Sequence, residues 1–124
     1  WPKIAPDAPA DLVPACHPIS ALPDLTPLVH TSLNEDLRLD EEEARRLSPL
    51  FWPAPANGRA ILAVGENESN EYLRQTRDLA AHWRAGGIEV ETRIVPNMNH
   101  FTVIGELADP GGRMVEDVWR LAAG

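Results

Sequence analysis

The chain carries one cysteine, Cys16. An internal disulfide framework is therefore excluded, and this thiol usage suits a reducing, cytoplasmic compartment. No apolar run approaches the roughly 18 residues of a membrane span. The N-terminus lacks the basic stretch and apolar run of a signal peptide, although the chain opens on Trp1, not Met, as a processed or shortened sequence would. Basic charge is also scarce. Lys and Arg number 11 against 19 Asp and Glu, for a net charge of −8, which argues against nucleic acid and an anionic membrane surface as partners. Finally, Ser20, Ser32, Ser48 and Ser69 all lack the sharp strand-to-helix turn on which a nucleophilic serine is expected.

What is present fits one α/β domain over residues 1–124, with 44% apolar and 24% charged residues. Prolines 2, 6, 9 and 14 make residues 1–14 an extended surface segment. Ala15–Ser20 is a short strand candidate, with Cys16 and His17 packing inside it; no other His or Cys lies at metal-ligand spacing. His30, Thr31 and Ser32 are candidates to line a pocket, against the simpler reading of a solvated connection. Asp40-Glu41-Glu42-Glu43-Ala44-Arg45-Arg46-Leu47 reads as a helix with Asp40 as N-cap, Glu43 in the reciprocal position, and acids leading and arginines trailing along the dipole. Ser48-Pro49 stops it. Leu50-Phe51-Trp52 then packs back on the sheet.

Arg59–Val64 is a strand whose apolar run, Ile61–Val64, suits burial on both faces. Ser69 can N-cap a helix over Asn70–Ala85, with Tyr72, Leu73, Thr76, Leu79, Ala80 and Trp83 on its inner face. Gly86-Gly87 ends it. Val90–Val95 is the next strand. A last helix follows, with Asp109 as cap, Pro110 at N1, and Met114, Val115, Val118, Trp119 and Ala122 as its apolar stripe. Strands alternating with helices imply parallel strands in a three-layer α/β/α arrangement.

Two loops then claim attention, because ligands and chemistry gather at the C-terminal ends of such strands. One is Gly65-Glu66-Asn67-Glu68-Ser69. The other is Pro96-Asn97-Met98-Asn99-His100-Phe101. A histidine can serve as general base and then general acid near neutral pH, and a carboxylate on its other ring nitrogen fixes its tautomer. Glu66, Glu68 and Glu71 are the nearby carboxylates. The same loops allow a metal reading through Glu66, Glu68 and His100.

Glu68-Ser69-Asn70-Glu71-Tyr72-Leu73-Arg74-Gln75 resembles the segment after the seventh strand of kynurenine formamidases and their esterase-like relatives, where the pattern is acid-Ser-Pro-Glu-Phe-x-Arg-Gln. Asn99-His100-Phe101 is similar to that family's histidine loop. Asp24-Leu25-Thr26-Pro27-Leu28 and Ser48-Pro49 resemble its earlier segments, so the likeness runs from about Ala15 onward. It implies the C-terminal part of an α/β-hydrolase fold, with Glu68 as triad acid and His100 as triad histidine. It further implies hydrolysis of an aryl formamide, such as N-formylkynurenine, or of a small carboxylic ester, without metal or organic cofactor.

The chain departs from the family pattern in several places. Glu68 stands where Asp is usual, Asn70 where Pro is, and Ala21 where Gly is common. The family's Gly-x-Ser-x-Gly and His-Gly-Gly stretches do not occur here. The resemblance therefore implies an N-terminal half of the same domain as partner, besides a small-molecule substrate. The alternative is a non-catalytic fragment or interaction module, whose bare first strand would favour self-association.

Overall fold

A computed structural model describes residues 7–9 and 12–123; the proline-rich expectation for residues 1–14 lies in large part outside them. Three parallel strands form the sheet in the order β1-β2-β3: β1 is Ala15–Cys16, β2 is Arg59–Gly65 and β3 is Glu89–Val95. β2 and β3 pair in register along their whole length, from Arg59 opposite Glu89 to Gly65 opposite Val95. The helices are α1 (Asn34–Leu37), α2 (Glu41–Leu47), α3 (Asn70–Ala85) and α4 (Arg113–Ala122). The α/β class with parallel strands alternating with helices is the one expected.

β2 is the central strand, and its alternating side chains build two cores. Ala60 and Leu62 face Leu79 and Ala80 of α3, together with Ile88 and Val90. Ala63 faces the other way, toward Val95, Val103 and Met114 of α4. Burial of about 25 cal/mol per Å2 of apolar surface on both faces explains why β2 is a near-unbroken aliphatic run.

Several local expectations change. The first strand is shorter than Ala15–Ser20: pairing stops after Cys16, at His17-Pro18, and resumes only as a single bridge between Ile19 and Ala63. Proline has no N–H to give a ladder. Asp40 does cap α2, accepting the Glu43 N–H at 2.7 Å, but the Glu43 carboxylate turns forward to Arg46 at 3.0 Å. Ser69 occupies the N-cap of α3 in extended backbone without a side-chain bond.

Leu50 packs on the α3-side core, whereas Phe51 and Trp52 are largely exposed. Phe51 instead lies under the Arg45 guanidinium, and the Trp52 indole N–H bonds the Arg46 carbonyl oxygen.

The start of α4 is displaced furthest. Gly112, not Asp109, is its N-cap. The Asp109 carboxylate accepts the Gly111 N–H at 3.0 Å, and its carbonyl accepts the Gly112 N–H at 2.9 Å, so Asp109-Pro110 forms a turn before the helix. The inner face is also rotated: Met114 and Asp117 are buried, while Val118 and Trp119 are exposed. Asp117 faces inward because Arg93 of β3 holds both its oxygens at 2.9 Å, and Arg120 adds a contact at 3.1 Å. A buried carboxylate needs such partners, and the Arg93 pair outweighs apolar periodicity here.

Candidate active site

β2 and β3 end side by side at Gly65 and Val95, which brings the two loops of interest together. Backbone bonds join them directly. Glu66 N–H donates to the Val95 carbonyl and Asn67 N–H to the Met98 carbonyl, both at 2.9 Å. Gly65 permits this approach, because a side chain there would collide with the Met98 carbonyl. Across the seam, Asn97 turns the chain in left-handed backbone, φ 60°, and gives its N–H to the Glu66 carboxylate at 3.1 Å. Asn99 then accepts the N–H groups of Phe101 (2.9 Å) and Thr102 (3.2 Å) on its side-chain oxygen. These bonds wrap the backbone around His100.

Of the three nearby carboxylates, Glu68 alone reaches the histidine. Glu71 pairs with Arg74 and Gln75, and Glu66 is engaged with Asn97. The Glu68 side chain is wholly buried. Its Oε2 stands 2.9 Å from His100 Nδ1, while Oε1 accepts the Gly65 N–H at 2.8 Å and the Ser20 hydroxyl at 2.5 Å. Burial by itself would raise the acid's pKa. The hydrogen bonds from Ser20, Gly65 and His100 outweigh it and hold Glu68 below the usual carboxylate range. An ionised carboxylate only accepts, so Nδ1 of His100 is the donor in this contact, and in the neutral imidazole the lone pair is on Nε2.

Tyr72, expected as a core residue of α3, stacks on the imidazole with centroids 4.5 Å apart and planes 28° apart. Its hydroxyl lies 3.5 Å from Nε2. Burial, together with the Glu68 charge, raises the phenol's pKa, so it stays protonated. Phe101 meets the same ring edge-on, 5.7 Å away, and is 87% exposed. The histidine is thus oriented by a carboxylate and a ring, and its side chain is 43% exposed.

Other candidates fall elsewhere. His30, Thr31 and Ser32 are exposed. His17 turns Nδ1 to the Ile61 carbonyl within β2, and burial pushes the Cys16 thiol up, away from thiolate character. The metal reading from Glu66, Glu68 and His100 is not formed: among the described residues no group of three or more His, Cys, Asp or Glu is placed to hold an ion. No described helix is long and apolar enough to cross a membrane.

Ser20 and Gly65 are the site residues that sequence reasoning passes over. Ser20 bonds Glu68 from 48 positions away and has no local pattern to flag it. Gly65 is visible as a glycine at a strand end, and the close approach at such positions was its available signal.

The chain matches no protein-family profile. It is 34% identical over 97 residues to a kynurenine formamidase of Salmo salar, and 30% over 96 residues to one of Danio rerio. Each alignment covers 73% of this chain, which spans about a third (33%) of the length of those curated relatives. Among solved structures, a crystal structure titled as a candidate thioesterase of a Silicibacter species superposes with a TM-score of 0.81 at 31% identity, over 93% of this chain and 42% of that one.

Proposed function

We propose that this chain is the acid-and-base portion of a serine hydrolase acting on an aryl formamide or a small carboxylic ester. The observation that carries the reading is the contact between Glu68 Oε2 and His100 Nδ1, which leaves Nε2, 3.5 Å from the Tyr72 hydroxyl, as the nitrogen turned from the acid. The kynurenine formamidase relatives favour a formamide of the N-formylkynurenine type, and the thioesterase-titled neighbour favours acyl transfer in general.

In this reading the nucleophilic serine comes from the portion of the relatives that this chain does not span. His100 Nε2 accepts the serine proton as the serine oxygen attacks the substrate carbonyl. The resulting imidazolium is stabilised by Glu68, which stays ionised. His100 then delivers the proton to the leaving amine or alkoxide, and the acyl group remains on the serine. A water molecule, deprotonated by the same Nε2, releases the acid and restores the serine.

The deciding experiment is His100→Ala in the full-length protein, assayed in parallel on a formyl-aryl amide and a short-chain aryl ester. A loss of about 10⁴- to 10⁶-fold in rate is expected, as for other triad members. A rate within a few-fold of the parent would remove the assignment.

A further inference from the structure

Ser20 takes no part in the reaction as written, yet its hydroxyl is bonded to the acid that would direct it. Ser20 is buried, and its backbone is left-handed, φ 47°, a conformation that residues other than glycine seldom adopt. The surrounding chain holds it there. Ser20 N–H donates to the Ala63 carbonyl at 2.8 Å, and Ala63 N–H donates to the Pro18 carbonyl at 2.8 Å. Downstream, the Gln75 side-chain amide grips Asp24 from both sides, accepting its N–H and donating to its carbonyl, each at 2.9 Å. The segment is thus pinned to β2 at one end and to α3 at the other.

We propose that Ser20 is a positioning residue: its hydroxyl, with the Gly65 N–H, occupies Oε1 of Glu68 and leaves Oε2 alone to face His100. The inference rests on the hydrolase reading of Glu68 and His100. A glutamate has one more rotatable bond than the aspartate usual in the resembling family, so its carboxylate has more positions to be excluded. Two donors on one oxygen exclude them. Ser20 is not the nucleophile itself. Its hydroxyl is given to Oε1 of the acid, not to His100, which meets the other oxygen, and the residue is buried.

The test compares Ser20→Ala with Ser20→Gly in the full-length protein. Both lack the hydroxyl, but glycine adopts positive φ without strain. Each variant is expected to lower kcat on a formyl-aryl amide by about tenfold or more, the scale of a lost hydrogen bond to a charged group, with KM within about twofold. Imidazole 15N shifts should show His100 moving away from the Nδ1–H tautomer in both. A Ser20→Gly variant with parental kcat and tautomer would overturn the proposal, since it would mean that only backbone geometry matters. If the parent protein hydrolyses neither amide nor ester, the hydrolase reading fails. The tautomer comparison then still decides whether Ser20 orients the pair, an unchanged tautomer counting against it.

Discussion

The carbonyl oxygen of Met98 occupies the space in which a side chain at Gly65 would begin. The same glycine gives its N–H to Glu68 Oε1, so one residue sets both the spacing of the two loops and the placement of the acid. Replacing Gly65 by Ala forces a methyl against the Met98 backbone, which a rotamer change cannot relieve. The expected loss of stability is about 1–3 kcal/mol, the usual range for overpacking. Urea unfolding measures it, and unchanged stability would mean that the loops separate freely.

Glu68→Gln keeps the size of the acid and removes its charge. A carboxamide can present its N–H2 to Nδ1, which favours the Nε2–H tautomer and takes away the lone pair that would accept a proton. The expected loss in kcat is about 10⁴-fold with little change in KM. Steady-state kinetics on the full-length protein decide it; a loss below tenfold would leave Glu68 as an ordinary buried acid.

Acid should weaken the protein in a defined window. Hydrogen bonds from Arg120 and then Arg93 pull the Glu91 carboxyl down to about 2, against about 4.3 in an unfolded chain. A lowered carboxylate pKa contributes stability above the unfolded value and loses it as pH falls through the folded one. The contribution of Glu91 is therefore complete above about pH 5 and fades toward pH 2. Glu91→Gln should flatten the fall in the urea midpoint over that interval. An identical slope in both proteins would refute the linkage.

Among the described residues β1 pairs with β2 alone and is an edge strand of the sheet. Leu12 and Val13, just before it, are about half exposed. An open edge beside apolar side chains invites pairing with another chain. The isolated 124-residue chain is expected to self-associate in sedimentation velocity, and a single monomeric boundary at micromolar concentration would contradict this.

Legibility in the sequence followed the range of the forces. The span of α3 and the strands β2 and β3 were readable because repeating apolar positions and glycine stops act within a few residues. The Asp40 cap was readable for the same reason. The face of α4 was not: Asp117 is buried through Arg93, 24 positions earlier, and periodicity treats an acid as solvent-facing. Asp109-Pro110 carried a helix-start pattern, but a tight turn used those bonds first. At the site, Glu68 and His100 stood out through their loops, whereas Ser20 depends on a tertiary contact that no nearby residue announces. Helical spacing puts Tyr72 on the inner face of α3, but its ring ends against His100.

The β2-α3-β3 arrangement also bears on the order of assembly. Glu68 and His100 are 32 positions apart, within one continuous stretch that begins at Arg59 and needs only the β2–β3 ladder to close. Contacts of short sequence separation tend to form early, because less chain must be restrained to make them. Ser20 must come from outside that stretch, across α1, α2 and the loop before β2. The carboxylate–imidazole pair would then meet first in a nascent, partly solvated form, and the arrival of Ser20 would be a late locking step. Mutations at Ser20 should accordingly speed unfolding more than they slow folding.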